Sequence, residues 1–152
     1  MYPAEPFQGE RCVVRRVLNA PVERVFHAWT DPEMLSKWSF GSEYVTISLE
    51  VEHRVGGRIT QHIRNRTTGE NWFFQGEYRE IVPNRRLVHT FHFESDRGED
   101  DGLSLVAIEF IPVGDSTEVV ITHTGLANEK KTKGTIAGWE DILTVIDGLL
   151  RT

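Results

Sequence analysis

The sequence predicts an α+β fold in which a seven-stranded antiparallel sheet curls around one long C-terminal helix. Segments with alternating or β-branched patterns recur along the chain, and the short connections between them join neighbouring strands as antiparallel hairpins. An apolar sheet face needs a cover, and the C-terminal segment is the one helical pattern long enough to provide it. The 152 residues suit one domain, predicted at residues 10–152 behind a flexible N-terminal tail at residues 1–9.

The first predicted elements are a strand at residues 10–18 and two short helices between Ala20 and Trp38. The strand segment, E-R-C-V-V-R-R-V-L, is rich in β-branched residues. Apolar residues at helical spacing mark the first helix: Val22, Val25, Phe26 and Trp29. Asp31, followed by a proline, is a natural N-cap for the second helix. Residues 20–38 are therefore expected to close the gap between the first strand and the other six.

Six further strands are predicted from residue 43 onward. In the first of them, four apolar residues alternate with polar ones and are expected to share one face: Val45, Ile47, Leu49 and Val51. The remaining five are predicted at residues 58–65, 71–82, 85–95, 103–112 and 117–124. The longest connection, E-S-D-R-G-E-D-D-G at residues 94–102, lacks the ligand spacing of a calcium loop and is predicted to be a solvated hairpin tip.

The chain ends with a predicted helix at residues 138–150. One broad apolar stripe marks it: Trp139, Ile142, Leu143, Ile146, Leu149 and Leu150. Three polar residues are predicted to face away from that stripe: Asp141, Thr144 and Asp147. Three glycines of this region, Gly134, Gly138 and Gly148, each weaken a helix by about 1 kcal/mol relative to alanine. They indicate either a close backbone approach or room left for something else.

Composition argues against several classes of function. The net charge of −6 disfavours a surface that binds nucleic acid, because such binding depends on lysine and arginine side chains. The apolar runs are far shorter than the roughly 20 residues of a membrane span, so no membrane contact is expected. The sole cysteine, Cys12, cannot form an internal disulfide, and zinc-type Cys/His spacing is absent from the sequence. These features predict a cytoplasmic protein.

Five successive motifs in this chain resemble the signatures of one family. They are A-P-V-E-R-V-F-H-A-W-T-D-P-E-M-L-S-K-W, V-G-G-R, G-E-Y-R-E-I-V-P-N-R-R-L-V, S-T-E-V-V-I-T-H-T-G-L and G-W-E-D-I-L, within the span from Val13 to Leu150. In this order they resemble the homologues of the activator of the ninety-kilodalton heat-shock protein ATPase, a family of the START-like helix-grip (SRPBCC) superfamily. The resemblance implies a sheet that grips the C-terminal helix, with a cavity between them that holds an apolar small molecule in many relatives. It implies no fixed chemistry, and no cofactor is expected.

Eleven residues are expected to line this cavity: Trp38, Phe40, His62, Arg64, Trp72, Phe74, Tyr78, His89, Phe91, Trp139 and Leu143. Aromatic side chains alternate on one face of the strand at residues 71–82, and His89 shares a predicted inward face with Phe91. For the preceding strand, at residues 58–65, the sequence does not decide which face points inward. Either His62 with Arg64, or the apolar residues of opposite parity, can face the cavity.

The preferred hypothesis is a protein that binds a small apolar molecule, without catalysis. Common catalytic motifs are absent from the sequence, and no metal site is expected, because His89 and His92 are three apart in a strand and point to opposite faces. A core histidine bonded to a backbone carbonyl or to water is the simplest interpretation of His89, and a ligand anchor is the next. Two alternatives stay open: a cyclase-, dehydratase- or hydrolase-like enzyme that uses His89 or a neighbouring polar group of the cavity, and a cochaperone-like module with a chaperone partner. The sequence also leaves the oligomeric state undecided, with a homodimer as one alternative.

Overall fold

The chain forms one antiparallel sheet of seven strands in the computed structural model, which describes residues 9–38 and 40–151. The strands are β1 (Glu10–Leu18), β2 (Tyr44–Val51), β3 (Arg58–Asn65), β4 (Asn71–Val82), β5 (Arg86–Ser95), β6 (Asp100–Val113) and β7 (Ser116–Leu126). The helices in this part of the chain are α1 (Val22–Thr30), α2 (Pro32–Trp38) and α3 (Glu129–Leu150). The sheet order is β1-β7-β6-β5-β4-β3-β2. The predicted helix-grip α+β fold is confirmed, while the predicted tail at residues 1–9 lies outside the described residues except for Gly9.

Helices α1 and α2 join the two edges of the sheet, because β1 and β2 are its outermost strands. Trp29 of α1 packs edge-on against Phe110 of β6, with ring centres 5.5 Å apart. Trp38 at the end of α2 donates a hydrogen bond from Nε1 to the carbonyl oxygen of Ala28 at 2.9 Å. Asp31 caps α2, since its Oδ2 accepts a backbone N–H of that helix at 3.1 Å. The two tryptophans therefore tie this helix pair together and to the sheet.

Strand β2 does not keep one apolar face along its length. Its pairing with β3 shifts between Thr46 and Ser48, and a bulge of this kind inserts an extra residue that reverses the alternation of side chains. Val45 and Ile47 are consequently 36% and 44% exposed, whereas the apolar residues after the bulge pack partly against the core. The prediction that all four apolar residues of this strand share one face is wrong.

Helix α3 is longer than its apolar stripe predicts, since it begins at Glu129 and not at residue 138. Asn128 is the N-cap, because its Oδ1 accepts the backbone N–H of Lys131 at 2.9 Å. The first turns of α3 carry charged and exposed residues, so no apolar periodicity marks them. These turns reach the β5–β6 hairpin, where Lys131 Nζ lies 2.5 Å from Oδ1 of Asp101.

Part of the polar face of α3 binds β1. Asp147 is only 8% exposed, and its Oδ2 accepts hydrogen bonds from Arg16 Nη2 at 3.2 Å and Arg151 Nη2 at 3.0 Å. Thr144 Oγ1 accepts a further hydrogen bond from Arg16 Nη1 at 2.8 Å. The prediction that Asp147 faces away from the apolar stripe is wrong, because Asp147 is buried against β1, whereas Thr144 is exposed. A helical stripe of apolar residues carries no information on where an arginine from a distant strand will lie.

The hydrophobic core fills the space between the sheet and the three helices. Its fully buried members include Leu18, Val25, Val106, Ile108, Val119, Ile121, Leu143 and Ile146. Among the described residues, no helix is both long and apolar enough to cross a membrane. The core is thus continuous along one side of the sheet, and it is interrupted at the cavities described next.

Candidate functional site

A cavity of about 620 Å³ lies between the sheet and α3, and we call it the outer cavity. Its apolar residues come from β5, α3 and the segment before β2, and its charged residues come from the β5–β6 hairpin and the first turn of α3. The lining residues are Phe40, Tyr44, Phe91, Phe93, Glu99, Asp101, His123, Asn128, Lys130, Lys131, Gly134, Thr135, Gly138, Trp139 and Ile142. Rings and charges therefore occupy separate parts of the cavity.

The aromatic wall of the outer cavity is a set of stacked rings. Phe91 and Phe93 alternate on the inward side of β5. Phe40 stacks on Phe93 with ring centres 5.0 Å apart, and Trp72 stacks on Phe93 at 4.5 Å. Phe40 has a φ of 68°, in the left-handed region that bulky residues rarely adopt. Ring packing against Phe93 and Phe74 offsets this backbone strain and holds the Phe40 ring at the wall.

On the α3 side of the outer cavity, two positions carry no side chain because they are glycines. Gly134 and Gly138 are one helical turn apart, and both line the cavity. A Cβ atom added at either position would meet no heavy atom within 4 Å. This open space supports the second interpretation of these glycines, namely that they leave room beside the helix.

Charged residues form a rim at one end of the outer cavity. Lys131 Nζ and Asp101 Oδ1, 2.5 Å apart, join the first turn of α3 to β6. The hydrogen bond from Lys131 to Asp101 raises the pKa of Lys131, so its ammonium group stays charged. Glu99 and Lys130 are exposed and line the same cavity. The segment at residues 94–102, predicted to be only a solvated hairpin tip, is therefore also part of the cavity.

His123 of β7 connects the sheet to α3 through a chain of hydrogen bonds. Trp139 Nε1–H donates to His123 Nδ1 at 3.1 Å, which places the proton of the neutral imidazole on Nε2. Nε2 donates to Ser104 Oγ at 2.8 Å, and the Ser104 hydroxyl donates to the carbonyl oxygen of Phe91 at 3.3 Å. Burial, and to a smaller extent the nearby His89, lowers the pKa of His123 to about 3. His123 is therefore neutral at neutral pH and holds the Trp139 ring in place.

A second cavity, of about 30 Å³, is lined mostly by buried residues, and we call it the inner recess. Its lining residues are Trp29, Leu35, Trp38, Phe40, Ile59, Gln61, Phe74, Tyr78, Leu87, His89, Phe91 and Trp139. Phe40, Phe91 and Trp139 also line the outer cavity. The inner recess therefore adjoins the outer cavity, with these three rings at the boundary.

His89 lines the inner recess as a neutral imidazole. Its Nδ1–H donates to the carbonyl oxygen of Thr90 at 2.8 Å, and because a carbonyl can only accept, Nε2 is left as an acceptor. Burial lowers the pKa of His89 and raises the pKa of the neighbouring Tyr78 to about 12. Gly76 permits this arrangement, since a Cβ there would lie 2.6 Å from the same Thr90 oxygen. The bond to Thr90 is the one that the core-histidine interpretation predicts.

The structure brings seven of the eleven predicted residues to the two cavities: Trp38, Phe40, Phe74, Tyr78, His89, Phe91 and Trp139. Trp72 and Leu143 are buried, but they line neither cavity. His62 and Arg64 lie on the opposite face of the sheet, where both contact Oδ1 of Asn71, at 2.7 Å and 3.1 Å. The prediction is wrong for His62 and Arg64, because β3 turns the residues of opposite parity inward.

Several residues of the outer cavity were not predicted. His123 has the same inward parity in β7 as the buried Val119 and Ile121, so strand alternation is a signal that could have identified it. Asp101 and Lys131 are 30 residues apart in the chain. Their contact depends on the early start of α3, and no local sequence pattern indicates it.

One group of side chains outside both cavities has the ligand types of a cation site. His92, Glu94 and Asp100 place nitrogen and oxygen atoms within 4.8 Å of one another. His92 Nε2 lies 2.9 Å from Asp100 Oδ1, and the backbone N–H of Gly102 donates to the same oxygen at 2.8 Å. These hydrogen bonds explain why the three side chains lie close together, since they stabilise the β5–β6 hairpin.

Comparison with known proteins identifies the family. Residues 19–151 match the family described as "Activator of Hsp90 ATPase homolog 1-like protein". The chain belongs to this family. Its fold is shared by protein CV1439 from Chromobacterium violaceum, with a TM-score of 0.83 and 28% identity over 95% of this chain and 99% of that one.

A second solved structure supports the fold at lower sequence identity. The AHSA1 (SPO3351) protein from Silicibacter pomeroyi has a TM-score of 0.81 at 16% identity. The match covers 93% of the present chain and 98% of the Silicibacter pomeroyi chain. No curated protein sequence matches this chain. The family expected from the five motifs is therefore confirmed.

Proposed function

We propose that this protein binds a small, mainly apolar molecule in the outer cavity. The observation that carries the proposal is an aromatic wall that faces a helix surface without side chains at two glycine positions. Phe91 and Phe93 line the cavity on the β5 side, and Gly134 and Gly138 line it on the α3 side, around a volume of about 620 Å³. Ligand sites typically have about 300–1,000 Å³ and a mainly apolar lining with a few polar groups. The outer cavity has this size, with apolar rings on its wall and its charged residues grouped at the rim.

The outer cavity is open to solvent on its α3 side, where Gly134 and Gly138 are exposed. Alanine at positions 134 and 138 would occupy part of the cavity and would stabilise the helix by about 1 kcal/mol at each position. The two glycines therefore keep the cavity open at a cost in helix stability.

The lining favours a ligand without a net charge. A bound molecule would remove the half-buried rings of Phe91 and Phe93 from water, which contributes about 25 cal/mol for each Å² of apolar surface. His123 is neutral, since burial lowers its pKa to about 3. At the rim Lys131 pairs with Asp101, and the two other charged residues, Lys130 and Glu99, are exposed and opposite in sign. Most of the binding free energy would accordingly come from contacts between apolar surfaces.

Native mass spectrometry tests the proposal directly. Freshly purified protein is compared with the same sample after denaturation, and a retained mass that denaturation releases is the expected result. The ligand-free protein is then titrated with methylnaphthalene, an apolar probe, in equilibrium dialysis. A bare protein mass, together with no binding of methylnaphthalene up to its solubility limit, would contradict the proposal. The same spectrum reports the oligomeric state and so tests the homodimer.

The other hypotheses stay predictions from the sequence. Loss of a turnover in a folded His89→Ala variant would support an enzyme, and stimulation of a heat-shock ATPase by this chain would support a cochaperone. Cell fractionation would test the cytoplasmic location. None of these measurements depends on the outer cavity being a ligand site.

A further inference from the structure

The indole N–H of Trp29 is buried without a hydrogen-bond partner. Trp29 is 4% exposed, and within the described part of the chain its Nε1 is the buried side-chain nitrogen or oxygen atom that has no partner. Most buried polar groups in proteins are hydrogen-bonded, so an exception calls for an explanation such as a water molecule or a bound group. Trp29 lines the inner recess. The residue that carries the unused donor is thus part of the wall of this recess.

The inner recess also presents an acceptor. His89 Nδ1–H is engaged by the carbonyl oxygen of Thr90 at 2.8 Å, so Nε2 keeps an available lone pair. Gln61 in the same lining already donates from Nε2 to Thr46 Oγ1 at 2.9 Å. Of the lining residues that the structure describes, none is an aspartate, glutamate, lysine or arginine. The recess therefore offers neutral hydrogen-bonding groups and no counter-charge.

The size of the inner recess limits what it can hold. Its volume of about 30 Å³ exceeds the roughly 10–15 Å³ that a single water molecule requires, and it is far smaller than the outer cavity. Phe40, Phe91 and Trp139 line both spaces. The recess can therefore accept the end of a molecule whose main part lies in the outer cavity.

We infer that the inner recess binds the uncharged oxygen atom of a hydroxyl or carbonyl group at the end of the ligand. Trp29 Nε1–H donates a hydrogen bond to that oxygen, and a hydroxyl group can in addition donate to His89 Nε2. A carboxylate is disfavoured, because burying a charge without a partner is far more costly than burying a hydrogen-bonded neutral group. This inference rests on the proposed function, and it adds the ligand class: a neutral molecule with an apolar body and a terminal oxygen.

Three probes with the same ring system test the inference on the wild-type protein. They are naphthol, methylnaphthalene and naphthoate, substituted at the same ring carbon, and their affinities are measured by equilibrium dialysis. We expect naphthol to bind about tenfold more tightly than methylnaphthalene, which corresponds to one net hydrogen bond and to about 1.4 kcal/mol. Naphthoate is expected to bind more weakly than naphthol. This comparison requires no variant and does not depend on the folding of one.

A matched pair of tryptophan variants locates the hydrogen bond. Trp29→Phe removes the unpaired N–H and keeps an aromatic ring in the recess. Trp38→Phe is the control, because Trp38 lines the same recess but its N–H already donates to the Ala28 carbonyl oxygen at 2.9 Å. We expect Trp29→Phe to lose the tenfold preference for naphthol while its affinity for methylnaphthalene stays within about twofold of wild type. Trp38→Phe is expected to keep the preference.

The outcomes separate this inference from the proposed function. Equal affinities of the wild-type protein for naphthol and methylnaphthalene would overturn the inference and leave apolar binding in the outer cavity intact. Retention of the preference in a folded Trp29→Phe protein, or tighter binding of naphthoate than of naphthol, would overturn it as well. Failure of all three probes to bind would overturn both proposals.

Discussion

Replacing Gly138 by leucine should stabilise the protein and weaken ligand binding at the same time. A Cβ at this position meets no heavy atom within 4 Å, so the larger side chain enters open space without strain. Glycine is about 1 kcal/mol less favourable than alanine in a helix interior, and leucine is close to alanine. We therefore expect the free energy of unfolding to rise by roughly 0.8–1 kcal/mol. For a chain of this length that corresponds to a Tm increase of about 2–4 °C.

The loss of binding follows from the space that the new side chain takes. An isobutyl group displaces about four carbon atoms of a ligand, and each ligand atom contributes about 0.3 kcal/mol in drug-sized molecules. The expected loss is about 1.2 kcal/mol, or slightly less than tenfold in Kd. Equilibrium dialysis of methylnaphthalene measures the affinity, and thermal unfolding followed by circular dichroism measures the stability.

Gly148→Leu is the matched control. Gly148 lies on the same helix, a Cβ there also meets nothing within 4 Å, and the residue is exposed and outside the lining of the outer cavity. The control is expected to gain stability and to bind methylnaphthalene like wild type. Equal affinities of the two leucine variants would refute the assignment of the ligand to the outer cavity. A Gly138→Leu protein that is less stable than wild type would refute the conclusion that the space beside Gly138 is open.

Three further predictions concern stability measured by urea denaturation. Gly76→Ala should cost about 1–3 kcal/mol, because its Cβ would lie 2.6 Å from the Thr90 carbonyl oxygen, and an unchanged midpoint would contradict this. Asn128→Ala should cost about 1 kcal/mol through loss of the cap bond to the Lys131 N–H, whereas Asn128→Asp should retain most of the stability. Burial lowers the pKa of His123 to about 3 from a usual 6.5, so between these values the unfolded chain binds a proton that the folded protein excludes. Stability should therefore be independent of this group above about pH 6.5 and should fall by about 1.4 kcal/mol per pH unit below it. A wild-type profile that is flat between about pH 6 and pH 4 would contradict that prediction.

Much of the fold could be predicted because local patterns carry it. Strands β3 and β4 have the predicted limits, Arg58–Asn65 and Asn71–Val82, since their patterns end at turn residues. The start of α3 at Glu129 was missed because its first turns are polar and exposed. The reversal of side chains in β2 was missed because it arises from pairing with β3, and pairing register is not a property of one strand.

The candidate site could be predicted in part for the same reason. Rings such as Phe74 and Phe91 follow strand parity, and parity placed them on the cavity side. His62 and Arg64 were assigned to the wrong face because the inward positions of β3 include a polar residue, Gln61, which makes the alternation ambiguous. The charged rim was missed because it joins segments that are distant in sequence.

The order of elements, and with it the fold and the family, was readable along the chain because short connections between amphipathic segments leave few ways to arrange them. Whether the space between sheet and helix is filled or open was not readable in this way. Gly134 and Gly138 are compatible in sequence with a close approach or with a void, and the neighbouring atoms distinguish the two. The unpaired N–H of Trp29 likewise became visible only with its surroundings. Both depend on distances between elements remote in sequence, which arise when the whole core packs.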